Sequence, residues 1–206
     1  MFKFVLAVFL ATQAVMSLPS PLARRSTGAW CDGLGGSAYD LAYNFSLSVV
    51  NSTLPNANST GAPLVLNPQG QDSSGVATYN LATYNSQPDT IGIWPNFTLE
   101  HGTLLANYLA DLSISPSGDE TEVGGPVTLT SDANNSAKIY CGVADTDPEQ
   151  GAPPLLALYT NLNEFSICHQ REGGEADLLI YNATSSNSLY DYVSCYPVLV
   201  HLLYNY

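Results

Sequence analysis

Positive charge is what this sequence has least of. Five lysines and arginines stand against eighteen aspartates and glutamates in 206 residues. Three of the five cations, Lys3, Arg24 and Arg25, lie within the first 25 residues. Residues 26–206 therefore keep only Lys138 and Arg171 against all eighteen carboxylates, a net charge of −16. Such a field repels nucleic acid and anionic membranes, and neither is expected as a partner. Long hydrophobic runs are scarce too: the run from Phe4 to Met16 is thirteen residues, too short to span a bilayer. Catalytic signatures are missing. There is no Gly-x-Ser-x-Gly elbow, no His-Glu-x-x-His helix and no phosphate-cradling glycine loop. The cysteines lack metal-ligand spacing, which argues against zinc. Charged residues make up only 11% of the chain, but 45% are hydrophobic, so disorder is not the expected outcome.

What is present begins with a secretory signature. Lys3, the apolar run and the small-residue exit Ser17-Leu18-Pro19-Ser20 have the layout of a signal peptide over residues 1–17. Arg24-Arg25 then resembles a kexin-type maturation site, making 18–25 a short propeptide and Ser26 the expected mature N-terminus. Residues 26–206 read as a single domain, large enough to bury a core of its own. The C-terminal stretch Val198–Tyr206 is apolar but lacks a small-residue ω site and polar spacer, so it reads as a final core strand and not as a membrane anchor. Secretion also gives meaning to the Asn-x-Ser/Thr acceptors at Asn44, Asn51, Asn58, Asn96, Asn134 and Asn182. Each one that is used must lie at the surface. Cys31, Cys141, Cys168 and Cys195 form an even set, which in an oxidising compartment reads as two disulfides with three possible pairings. The favoured pairing is Cys168–Cys195, stapling two late strands, with Cys31–Cys141 tying the N-terminal segment to the core.

The periodicity is that of strands. From Tyr39 to Val49 the odd positions are large and apolar and the even ones small or polar, with Asn44 on the polar face. Further short runs fall at 63–67, 75–84, 90–93, 96–100, 103–106, 111–114, 126–130, 137–141, 155–159, 164–168, 177–182, 189–194 and 197–204, punctuated by turn clusters. Thirteen prolines and sixteen glycines fit the same spacing. The fold expected is all-β: a single antiparallel sandwich or barrel stabilised by two disulfides. One stretch, Thr103–Leu112, also carries a helical period through Leu104, Leu105, Tyr108, Leu109 and Leu112.

Three ordered motifs resemble a known family. Phe97-Thr98-Leu99-Glu100-His101-Gly102-Thr103-Leu104, Phe165-Ser166-Ile167-Cys168 and Ser194-Cys195-Tyr196-Pro197-Val198 are similar to elements of the β-rich C-terminal domain of the Pir cell-wall proteins and related fungal secreted proteins. The resemblance covers roughly residues 91–206. It implies a secreted cell-wall-type protein and carries no catalytic residues; the glutamine-rich repeats of that family are absent here. The same motifs also read as a core strand, a glycine-allowed turn and a return strand, within a disulfide framework.

Candidate chemistry is sparse. Trp94, Tyr190 and Tyr192 are the candidates for an exposed aromatic platform that would stack on sugars, while Trp30 is expected to pack on a disulfide. Asp145, Asp147 and Glu149 offer alternating oxygen donors suited to calcium, although Pro148 and Leu156 exclude an EF-hand; a solvated loop is the competing reading. A glycosidase needs two facing carboxylates, for which Glu100, Asp111, Glu164 and Asp177 lie on or near expected strands. His101, His169 and His201 stand alone in sequence. The sequence thus favours a secreted, N-glycosylated extracellular or cell-wall protein with a structural or interaction role and no catalysis, its partner a wall polysaccharide or another extracellular protein. A carbohydrate-binding protein is the alternative, and a carboxylate-based glycosidase the less favoured one.

Overall fold

The computed structural model describes residues 29–87, 96–107, 115–132, 134, 136–144, 153–171 and 174–204. Thirteen strands lie within them: β1 Ser37–Ala38, β2 Leu41–Asn51, β3 Ala62–Gln71, β4 Ala77–Thr83, β5 Asn96–Glu100, β6 Thr103–Asn107, β7 Ser117–Gly118, β8 Thr128–Thr130, β9 Tyr140–Val143, β10 Leu155–Leu158, β11 Phe165–His169, β12 Asp177–Tyr181 and β13 Tyr196–Tyr204. Nine of them close a barrel: the ladder β2–β5–β6–β7–β8–β4–β12–β11–β13 returns to β2. The extra strands are β3, which bridges β2 and β4, and the row β10–β9–β1 extending from β13. The residue-paired ladders are all antiparallel, and the fold is all-β and single-domain as the sequence pattern predicts.

Alternation explains the barrel. Phe45, Leu47 and Val49 of β2 face inward and are paired in register with Tyr204, Leu202 and Val200 of β13. Phe165 and Ile167 of β11 oppose Tyr181 and Leu179 of β12 in the same way. Cross-strand apolar pairs on one face are the unit by which a sheet gains stability. These side chains join Leu64, Leu66, Leu81, Phe97, Leu99 and Leu104 in one continuous core. Asn44 falls between Tyr43 and Phe45 and is exposed, as its place on the polar face requires.

Two patches on the outside of the barrel are also buried, each beneath a flap of chain. Ala82, Cys168, Leu178 and Ile180 are covered by the segment after β12, which inserts Tyr190. Cys141, Val143 and Ala157 are covered by the segment before β2, through Cys31 and the partly buried Trp30, Leu34 and Tyr39. Each flap is fastened by one disulfide, Cys168–Cys195 and Cys31–Cys141, the favoured pairing. Trp30 packs beside its disulfide, as expected.

Two local expectations are corrected. Thr103–Asn107 is strand β6, because hydrogen bonding to β5 outweighs the helical spacing of its leucines; residues 108–114 lie outside the described residues. The run 189–194 is no strand: its apolar residues are split between a bridge at Tyr190 and a 3₁₀ turn at Tyr192–Ser194 whose first residues are capped by Asp191. The two-residue strands β1 and β7 are too short to leave a period in the sequence.

Candidate functional site

At one mouth of the barrel lies a cleft of about 440 Å³. The inward-facing positions of the strands run out here: Val49 leads to Asn51 on β2, Leu64 back to Ala62 on β3, and Val198 back to Tyr196 on β13. Asn85 follows β4, and the β2–β3 connection supplies Pro55, Asn56, Ala57, Asn58 and Gly61. Barrel mouths are a recurrent place for small-molecule sites. No ionised side chain lines this one among the described residues, although the molecule is strongly acidic.

The wall formed by residues 51–62 is ordered by its asparagines. The Asn51 N–H donates to Asn56 Oδ1 at 2.7 Å, and Asn56 Nδ2 returns a bond to the Asn51 carbonyl at 2.9 Å. Asn51 Oδ1 accepts from Thr53 N, Thr53 Oγ1 and Leu54 N at 2.9, 3.0 and 2.9 Å. Asn58 Oδ1 repeats the arrangement with Thr60 N, Thr60 Oγ1 and Gly61 N at 3.1, 3.0 and 2.7 Å. Such side-chain-to-backbone bonds replace a sheet ladder with a fixed turn. Ser48 Oγ donates to the Thr60 carbonyl and ties the wall to β2. Gly61 is obligatory: its φ is +79° and a Cβ there would sit 2.2 Å from the Val49 carbonyl oxygen.

Tyr196 is the aromatic of the cleft, 38% exposed. Partial burial, and secondarily the negative charge of Asp177, hold its phenol above the ordinary tyrosine value. Asp177 belongs to a neighbouring group. Its Oδ1 lies 3.1 Å from His169 Nδ1, the two being cross-strand partners on β12 and β11. Ser194 stands beside them, so serine, histidine and aspartate are gathered. They do not form a triad. Ser194 Oγ accepts from the His169 backbone N–H at 2.8 Å and donates to the Asp191 carbonyl at 2.6 Å, which turns its proton away from the imidazole.

The aromatic expectations divide. Tyr190 is fully buried and cannot stand in an exposed platform: its hydroxyl accepts from Thr184 N at 2.8 Å and donates to the Thr184 carbonyl at 3.0 Å, so its polar end is satisfied inside the flap. Tyr192 is 46% exposed, next to Val193. Trp94 lies outside the described residues, as do Asp145, Asp147, Glu149 and Asp111. Among the described residues no three histidine, cysteine or acidic side chains are grouped to hold a metal. Glu100 is exposed on β5, and Glu164 is half-buried near Tyr181, whose phenol is raised mainly by its burial. The six acceptor asparagines are all outside the core: Asn44, Asn58 and Asn134 are exposed, and Asn51, Asn96 and Asn182 half-buried.

The family-like motifs occupy defined places. Phe97, Leu99 and Leu104 fill the core from the β5–β6 hairpin, and Gly102 at its turn has a φ of +81° with the Trp30 indole lying where a Cβ would be. The two cysteine motifs lie side by side, Phe165, Ser166 and Ile167 in register with Val198, Pro197 and Tyr196. Tyr196 was legible as part of such a motif; its role in the cleft was not, because its companions come from residues 49–63 and from Asn85. No helix among the described residues is long and apolar enough to cross a membrane. No protein-family model, curated protein or solved structure matches the chain significantly.

Proposed function

We propose that this is a secreted, N-glycosylated protein of the fungal cell wall or extracellular space, with a structural or interaction role and no catalysis. The observation that carries the reading is the placement of the acceptors. Six asparagines in acceptor sequences lie on a barrel whose two flaps are fastened by disulfides, and none of them is buried in its core. The resemblance of the motifs around Phe97, Phe165 and Cys195 to fungal wall proteins points the same way. Expression of the full chain in a eukaryotic secretory host tests it. The protein should accumulate in the medium, begin at Ser26 and lose mass on enzymatic removal of N-glycans. Intracellular retention, or a secreted chain of unmodified mass, would contradict the proposal.

A second reading, carbohydrate binding, is favoured by the cleft itself. Its polar groups are amides and a phenol, with apolar surface from Val49, Ala62 and prolines. Uncharged hydrogen-bonding groups around one aromatic face suit a neutral sugar and offer nothing to an ion. Depletion of the purified protein from solution by insoluble chitin, β-glucan or cellulose is the expected result. Retention that is unchanged in Tyr196→Ala would remove this cleft as the cause.

A further inference from the structure

We infer that the occupant of the mouth cleft is the protein's own N-glycan, carried on Asn58, whose first sugar lies against Tyr196. The inference rests on the glycosylation reading above and adds to it a seat for one particular glycan.

Asn58 is at once an acceptor residue and part of the cleft wall. Its carbonyl oxygen is occupied by three donors from Thr60 and Gly61, which fixes the amide plane. Among the described residues nothing accepts from its Nδ2, the atom to which a glycan is joined, and the residue is exposed. A sugar attached there begins at the cleft instead of reaching it from solution, so the association cost that a free saccharide would meet is largely absent. The chemistry of the lining matches: N-acetylglucosamine is neutral, with one apolar ring face for Tyr196 and with hydroxyl and acetamide groups for the side chain of Asn85. The acceptors away from the cleft lack this setting. Asn44 projects from the outer face of β2, and Asn134 is exposed with its Nδ2 directed to Asp132 Oδ1 at 3.2 Å. Asn51 shares the cleft but is half-buried, leaving Asn58 the more open point of attachment.

The test is a time course of native deglycosylation by peptide N-glycosidase F, read site by site by glycopeptide mass spectrometry on the secreted full-length protein. The Asn58 glycan should be released about tenfold more slowly than those on Asn44 and Asn134, a protection equivalent to about 1.4 kcal/mol. Tyr196→Ala should abolish the difference and Tyr196→Phe should keep it; in denaturant all sites should react alike. Release of an occupied Asn58 as fast as the exposed sites, or protection that survives Tyr196→Ala, would overturn the inference. An Asn58 found unmodified while other acceptors are filled would overturn it by removing its occupant and leave the secreted-glycoprotein reading standing. All six acceptors unmodified would overturn both.

Discussion

The two flaps cover the barrel by different physical means. Beyond the two-residue ladder of β1 on β9 and the bond from Gly102 N to the Tyr39 carbonyl at 2.8 Å, the N-terminal flap is held by shape. Trp30 meets Tyr39 edge-on with ring centroids 6.3 Å apart, its indole lies over Gly102, and Cys31–Cys141 joins residues 110 apart in sequence. The C-terminal flap is held by hydrogen bonds. Its backbone pairs Arg171 N with Leu189 O and Asp191 N with His169 O, both at 2.9 Å, Asn187 Nδ2 reaches the Gly124 carbonyl at 2.8 Å, and Tyr190 closes its own turn. Its disulfide spans only 27 residues. A segment met late in the chain, beside its covalent partner, can be woven in locally. One that must be fixed across half the molecule depends on the long cross-link and on packing.

The difference can be broken open most forcefully at the disulfides. The chain-entropy argument assigns about 4.8 kcal/mol to the longer loop and about 3.6 kcal/mol to the shorter. The pair Cys31→Ser/Cys141→Ser should therefore lower the denaturation midpoint more than Cys168→Ser/Cys195→Ser, measured by chemical unfolding of both variants under one condition. Hydrogen exchange should show the N-terminal flap detached in the first while the C-terminal flap of the second keeps its protected amides. Gly102→Ala attacks the packing and its turn without touching the disulfide. A Cβ would lie 2.2 Å from the Trp30 indole nitrogen, on a backbone that only glycine adopts freely, and a loss of about 2–4 kcal/mol is expected. A smaller cost of Gly102→Ala in a Trp30→Ala background than in the parent would locate the clash. Tyr190→Phe is the counterpart in the other flap. It leaves Thr184 N and O short of a partner and should cost about 1–3 kcal/mol, with exchange at Thr184 accelerated first.

The smallest effect at neutral pH is the most specific to the N-terminal side. Tyr140, next to Cys141, is completely buried, and burial holds its phenol well above the ordinary value of 10.0. The unfolded chain releases that proton more readily than the folded one. Stability due to the neutral phenol is therefore intact below about pH 10 and declines as pH rises beyond it. In Tyr140→Phe the decline between about pH 10 and 12 should be shallower than in the parent; equal slopes would assign alkaline unfolding to other groups.

Much of the barrel could be read from residues alone, and the reasons are local. Phe45, Leu47 and Val49 alternate with Asn44, Ser46 and Ser48 because one face of β2 must be apolar, and that requirement is written at period two. Leu104 and Leu105 misled because two adjacent leucines satisfy a helical period as well as a strand that buries one of them fully and its neighbour in part. Tyr190 and Tyr192 look equivalent in sequence; the bridge from Tyr190 to Gln170 and the turn that follows bury one and expose the other. The cleft was beyond reach for a different reason. Its amides come from loop residues of a kind the chain has in abundance, and only the closing of β2 against β13 brings them to Tyr196.

Closure has a further consequence for how such a protein behaves when crowded. Each of the nine strands of the ring has a partner on both sides, and the row outside it ends in β1, two residues long. An unsatisfied strand edge is a template on which a second molecule can add a strand, and from which ordered aggregates grow. This barrel offers little of that template. Among the described residues, the surface left for contacts between neighbouring copies is mainly side chains carrying like charge, which favours close packing that can still come apart.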